Sequence, residues 1–203
     1  MKMDEIIVNV PEKDISSVVQ IHQRAFNGFF LTDLGSNFLK LYYKSVAKNE
    51  RGVLLGYYKD SQLIGFCAAT TLSQGFNKKL VLDNITSFSL IAIRLLFAKP
   101  RALIRLLKNF TKSNPSINDK GLYAELLSIG VSPKAQGIGV GKSLLFRLEK
   151  KLSEKGCKEL SLTTDYYKNE KAIGFYNSLG YETMYDFIAY PQRKMYRLIK
   201  KLI

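Results

Sequence analysis

Gly137, Gly139 and Gly141 stand at alternate positions in the run Val131-Ser132-Pro133-Lys134-Ala135-Gln136-Gly137-Ile138-Gly139-Val140-Gly141-Lys142-Ser143. Glycines in this pattern bare consecutive backbone N–H groups. Where a strand gives way to a helix, those groups converge on an anion at the positive end of the helix dipole, and a pyrophosphate suits the cradle. Counting excludes two familiar phosphate loops. A P-loop needs a glycine five positions before its Gly-Lys pair, where Gln136 stands, and a dinucleotide fingerprint needs its third glycine at the place of Lys142. What remains is Gln136-x-x-Gly139-x-Gly141, preceded by Val131-x-Pro133. Downstream, Asn169, Ala172 and Tyr176 are spaced i, i+3, i+7 and so share one helix face, with a small residue between two polar ones leaving room for a ligand.

The glycine loop resembles that of the GNAT superfamily of acyl-CoA N-acyltransferases, in which it joins the fourth strand to the third helix. Asn169-x-x-Ala172-x-x-Phe175-Tyr176-x-x-x-Gly180-Tyr181 is similar to the family's next helix and strand. The two motifs occur in the family's order with a strand between them. The resemblance covers Leu122 to about Tyr190, while Met1 to Leu72 agrees only in its order of elements. It implies acetyl-CoA, or a close acyl-CoA, as acyl-donor cosubstrate, with no metal.

By the same resemblance the pyrophosphate meets Gln136, Gly137, Ile138, Gly139, Gly141, Lys142 and Ser143. The acyl-pantetheine runs along the backbone of Ile129, Gly130 and Val131, whose N–H groups can stabilise negative charge on the carbonyl oxygen. Gly130 is expected to allow close approach. Asn169, Ala172 and Phe175 border the cofactor, and Tyr176 stands near the thioester sulfur. A phenol of pKa about 10 can protonate a departing thiolate of pKa about 8.5 only when held close and oriented. Tyr176 therefore acts as general acid, or packs against CoA without proton transfer.

Attack also needs a neutral amine. Glu125, in period-2 phase with Leu127, Ile129 and Val131, places a carboxylate on an otherwise apolar strand face and is the candidate base, directly or through a water. It can equally pair with a Lys or Arg. His22, the single histidine, is the alternative base, or a structural or acceptor-contacting residue. Phe29 and Phe30, in the aromatic linker Arg24 to Thr32, are candidate acceptor contacts beside Glu125, favouring a ring-bearing or apolar acceptor. A core-packing loop would look the same.

These residues need a scaffold. Glu5–Val10 reads as a strand ended by Pro11, and a helix follows from Asp14 as N-cap, with apolar residues at Ile15, Val18, Val19 and Ile21. Phe38 to Val46 is a second helix, and Val53–Tyr58 with Leu63–Leu72 a hairpin. Leu122–Val131 is a strand, Val140–Leu152 a helix closed by Gly156, Glu159–Thr163 a strand, Glu170–Leu179 a helix, and Tyr181–Tyr190 with Met195–Ile203 a final strand pair. The expected fold is α/β: a mixed, mostly antiparallel sheet of about six to seven strands, helices on both faces, and a helical insertion.

At 203 residues and 46% hydrophobic composition, 1–203 is expected to form a single N-acetyltransferase domain. The N-terminus lacks the apolar core of a signal peptide, so a cytoplasmic location is expected. Cys67 and Cys157 are isolated, and with one histidine no metal-ligand spacing exists. The net charge of +14 is uneven: 73–120 holds nine cations against two anions, half the total. That segment reads as a basic helical insertion, a pair of helices broken at Pro100, serving as a lid over the acceptor, a homodimer surface, or a face resting on anionic lipid. The first two are favoured on composition.

The resulting expectation is an N-acetyltransferase acting on a primary amine of a small acceptor through a ternary complex. The aromatic linker and long insertion are similar to family members that modify amino sugars, free or nucleotide-linked. The alternatives are a protein N-terminal or lysine acetyltransferase and a catalytically silent acyl-CoA-binding protein. A nucleic-acid partner, which the charge alone would allow, is not expected, because no DNA- or RNA-binding motif is present.

Overall fold

The computed structural model describes residues 5–111 and 119–203. Seven strands form one sheet in the order β1-β2-β3-β4-β5-β7-β6: β1 (Glu5–Asn9), β2 (Gly52–Lys59), β3 (Gln62–Thr70), β4 (Ala124–Val131), β5 (Glu159–Asp165), β6 (Glu182–Ala189) and β7 (Arg193–Lys201). Every neighbouring pair is antiparallel except β4 and β5. The mixed, mostly antiparallel sheet expected from the sequence is therefore present.

One face is covered by α1 (Ile15–Ala25) and α3 (Ser36–Lys48), whose buried residues recur at helical spacing: Ile15, Val18, Val19 and His22, then Phe38, Leu39, Tyr42, Tyr43 and Val46. The other face is covered by α7 (Val140–Glu154), through Val140, Leu144, Leu145, Leu148 and Leu152, and by α8 (Glu170–Ser178). A short helix α2 (Phe30–Asp33) forms inside the aromatic linker, where an irregular loop was expected. Asp14 precedes α1 as expected of a cap, but its carboxylate makes no capping bond. It accepts instead from the Tyr58 hydroxyl of β2 at 2.8 Å, a partner 44 residues away in the chain.

The insertion contains three helices rather than two: α4 (Phe76–Asp83), α5 (Ile85–Ala98) and α6 (Pro100–Thr111), with the expected break at Pro100. Phe76, Leu80, Phe88, Leu95 and Leu103 join the core beneath α1 and α3. Phe88 meets the Phe38 ring edge-on at 5.9 Å. Lys112 and the other residues of 112–118 lie outside the described residues.

Candidate active site

The parallel pair β4 and β5 is joined only at Ala124–Leu160, Glu125–Ser161 and Leu126–Leu162. Beyond these three pairs β4 continues against β3 as far as Val131, and β5 against β7 as far as Asp165. The strands therefore splay, and the backbone of Leu127–Val131 faces β5 without pairing to it. Such an edge must find hydrogen-bond partners elsewhere, which makes it a receptor for an extended, amide-bearing ligand.

The splay opens onto a cavity of about 340 Å³. One wall is Asn169, Ala172 and Tyr176 from α8; the opposite wall is His22 and Phe26 from α1, with Phe29 and Leu31 from the linker. Its floor is Leu126–Ile129 of β4 and Leu162–Asp165 of β5, and β7 adds Arg193 and Met195. Tyr176 and Ile129, expected at the thioester, and Phe29, expected at the acceptor, thus border one space. Phe29 meets Phe26 edge-on at 5.6 Å and lies beneath the Arg193 guanidinium at 4.9 Å, which is itself held by both oxygens of Asp165. The Phe30 side chain falls outside the described side chains.

At the far end of β4 the glycine loop turns into α7. Gly137 and Gly139 adopt left-handed φ values of 82° and 90°, which favour glycine, and a Cβ at either would meet open space, so the glycines answer to backbone conformation rather than crowding. Ile138 between them is exposed, and Gln136 reaches back towards the Val131 carbonyl at 3.5 Å. Gly141, in the first turn of α7, faces Phe175 of α8 and Val131 of β4, each of which a Cβ there would meet at 3.8 Å, an ordinary contact. Lys142 and Ser143 line a separate, smaller cavity of about 250 Å³ with Phe146, Glu149 and Lys200.

Tyr176 is 9% exposed, and burial pushes its phenol up to about 12, with the Cys67 thiol adding to the shift. The group is therefore a proton donor throughout the ordinary assay range. Asn169 stands at the start of α8, but its side-chain nitrogen donates to the Thr164 hydroxyl at 2.6 Å and the Asp165 carbonyl at 3.2 Å. It fixes the β5–α8 loop along the cavity.

Two expectations need correction. Glu125 is not in phase with Ile129 and Val131. A bulge opposite Ala68 and Ala69 inserts Leu127 as an extra residue in β4, so the alternation slips by one. Leu127 and Ser128 consequently both face α1 and α3, while Ile129 and Val131 pack against the α7 side. The Glu125 carboxylate is engaged by Arg197 at 2.9 Å and by the Ser73 hydroxyl, and it does not line the cavity. Gly130 also differs: a Cβ there would come within 2.8 Å of the Phe66 ring and 3.4 Å of Phe26, so the core behind β4 requires its small size.

Two networks were invisible in the sequence because their members are far apart along the chain. Arg197 links Glu125 with Asp119, which accepts from the Tyr123 and Tyr185 hydroxyls. Burial raises the Asp119 pKa, but the two phenols, the Gly121 N–H and Arg197 together hold it below the usual range. On the cavity wall, His22 Nδ1 shares a 2.6 Å hydrogen bond with the Tyr43 hydroxyl, which lies 2.9 Å from Ser128 Oγ. His22 Nε2 is buried without a protein partner, and burial pulls the imidazole down to about 4, so the ring is neutral at pH 7.

A splayed parallel strand pair, a glycine-turned helix at its open end and a buried phenol beside the gap make up the candidate site. The sequence pattern of the acetyltransferase (GNAT) family matches residues 15–181, and the chain belongs to that family. The family uses acetyl-CoA as its acyl donor. The chain is similar to the mycothiol acetyltransferase of Kocuria rhizophila, with 32% identity over 82 residues, 40% of this chain and 27% of that protein. The match thus spans about a quarter of the relative's length. Among solved structures it is similar to the ribosomal-protein-S18-alanine N-acetyltransferase of Escherichia coli, with a TM-score of 0.63 at 17% identity over 98% of this chain and 94% of that one. It is also similar to the PaiA N-acetyltransferase of Thermoplasma acidophilum in complex with coenzyme A, with a TM-score of 0.55 at 16% identity, covering 98% and 99%. These two likenesses concern the fold.

Proposed function

We propose that residues 1–203 act as one acetyltransferase domain that moves an acetyl group from acetyl-CoA to a primary amine of a small acceptor, by direct attack in a ternary complex. The observation that carries this reading is the 340 Å³ cavity at the β4–β5 splay, which puts a buried phenol on one side and an aromatic, partly charged wall on the other. Acetyl-CoA supplies the thioester carbonyl that the amine attacks. The amides around Gly137, Gly139 and Gly141 at the start of α7 suit its pyrophosphate, and the unpaired edge of Leu127–Val131 suits the pantetheine amides. On that edge the N–H groups of Ile129 and Val131, which alternate away from β3, suit charge on the carbonyl oxygen, whereas the Gly130 N–H turns towards β3.

Tyr176 donates its proton towards the sulfur as the C–S bond breaks. On the acceptor side, His22 Nε2 is a neutral imidazole nitrogen needing a partner, and it accepts or donates one hydrogen bond to the incoming molecule. With Glu125 tied to Arg197, the amine gives up its proton through water rather than to that carboxylate. Phe26 and Phe29 suit an acceptor with a ring or apolar body, and relatives named for mycothiol support a small molecule in this place.

The test is a panel of amino sugars, amino acids and aminoglycosides incubated with acetyl-CoA, reading free thiol and the acetylated product by mass. At least one amine should release thiol in step with product. Calorimetry showing no uptake of CoA by folded protein would sink the proposal.

A further inference from the structure

The insertion turns an apolar face outward. A helix that is apolar all round normally has protein on every side. In α5 only Phe88 and Leu95 are buried, while Leu90, Ile93, Leu96 and Phe97 are 64%, 56%, 55% and 82% exposed. Leu82 of α4 and Ile104 of α6 extend the exposed set at 56% and 48%. This exceeds the scattered single residues expected of an ordinary surface.

Cations are interleaved with this face at helical spacing. Lys78 is four residues from Leu82, Arg94 is four from Leu90 and three from Phe97, and Arg101 is three from Ile104. Lys99 sits at the turn between α5 and α6. Between 73 and 111 there are seven cations and one anion. Long basic side chains can lie along apolar neighbours and carry their charge to the rim.

We propose that α4, α5 and α6 dock the protein on the surface of an anionic lipid bilayer, with the apolar side chains entering the boundary between headgroups and acyl chains and the cations meeting lipid phosphates. Charge decides between this occupant and a second copy: two such faces apposed would bring like charges together, in a chain already carrying +14, whereas an anionic membrane complements them. Geometry favours lying on the bilayer over crossing it, since α4 and α5 reach the length and composition of a span only as a bent pair. Among the described residues no single helix is long and apolar enough to cross a membrane, and α4 and α5 meet at 94°. The 14 residues of α5 span about 21 Å against a hydrocarbon core of about 30 Å.

The docked face lies next to the acceptor side of the site. Lys99 Nζ donates to the Asp33 carbonyl of α2 at 2.8 Å, behind the linker that supplies Phe29 and Leu31 to the cavity. Lys108 of α6 lies 4.4 Å from the ring centre of Tyr190, in the β6–β7 turn that leads to Arg193. Docking would bring the cavity close to amines held at the membrane surface. The proposal does not rest on acetyl transfer and is read separately from it.

The experiment is co-sedimentation of the full chain with vesicles of phosphatidylcholine alone and of phosphatidylcholine mixed with phosphatidylglycerol, at about 0.1 M and about 0.5 M salt. The wild-type should pellet with the anionic vesicles at the lower salt, far less with the neutral ones, and less at the higher salt. Leu90→Ser with Phe97→Ser, both at exposed positions, should reduce binding at least about tenfold, as should Arg94→Glu with Arg101→Glu. Calorimetric CoA uptake by the same variants should match wild-type, separating loss of docking from loss of folding or of the acetyl-CoA site. Protein that stays in the supernatant with anionic vesicles overturns the proposal. So does a dimer in light scattering that Leu90→Ser with Phe97→Ser dissolves while vesicle binding is unchanged.

Discussion

Replacing Tyr176 with Phe removes one oxygen from a side chain that is 9% exposed and keeps the ring that packs between Phe175 and Tyr181. The size of the effect follows from the phenol's surroundings. Burial lifts it to about 12, whereas a free thiol titrates at about 8.5. Complete transfer to an ordinary thiolate would thus climb about 3.5 pH units, or about 4.8 kcal/mol. Charge building on sulfur in the same dry gap is also poorly solvated, so the gap narrows as the bond breaks. The phenol therefore acts chiefly as a hydrogen-bond donor to a charged partner, worth about 1.5–3 kcal/mol, and Tyr176→Phe should lower kcat by about 10- to 100-fold. KM for acetyl-CoA should scarcely move, because the interaction strengthens only as charge develops. Steady-state kinetics following free thiol, once an acceptor is found, give both numbers. The high pKa adds a second check: the wild-type should show no falling limb from Tyr176 below about pH 10. Turnover within about threefold of wild-type, or a limb near pH 8–9 that Tyr176→Phe abolishes, would refute the reasoning.

His22 should make the fold sensitive to acid. Its imidazole titrates at about 4 when folded and at about 6.5 when unfolded, so between those values the unfolded chain takes up the proton and the folded one does not. Stability is whole above about pH 6.5 and falls by up to about 3 kcal/mol as the pH drops to about 4, which urea unfolding at several pH values will show. His22→Gln should flatten that dependence. Arg197→Met should destabilise the protein by about 3–5 kcal/mol at neutral pH, because Glu125 and Asp119 then share a part-buried site without their cation. The loss should shrink as the pH falls through the carboxylate range and Asp119 protonates, and a loss that stays uniform from about pH 7 down to about pH 3 would argue against the ion cluster as its cause.

The parts of this molecule legible in the sequence are those whose signal is local. Gly137 and Gly139 announce themselves because the turn into α7 needs positive φ, and Asn169, Ala172 and Tyr176 because a helix repeats every 3.6 residues. The mixed, mostly antiparallel character of the sheet followed from the family resemblance, whereas the order of its strands did not. Glu125 was misplaced because period 2 holds only while a strand is regular, and no residue in Ala124–Val131 signals that Leu127 is extra. The bulge becomes visible only opposite Ala68 and Ala69. The His22–Tyr43–Ser128 chain and the Glu125–Arg197–Asp119 cluster join residues 21 to 85 positions apart, which spacing cannot reveal. Helix α4 was missed because Asn77, Lys78 and Lys79 interrupt the apolar run that marks its continuation.

The sheet is bound like a book whose covers, β1–β4 and β5–β7, meet along a spine only three residue pairs long. Arg197 reaches from β7 over β5 to Glu125 on β4, a clasp set at that spine rather than at the open margin. How far the covers part is consequently governed at the bound end. With pantetheine lying along β4 as proposed, loosening the clasp is expected to widen its berth several residues away, so that one guanidinium bears on both the cohesion of the sheet and the hold on the acyl donor.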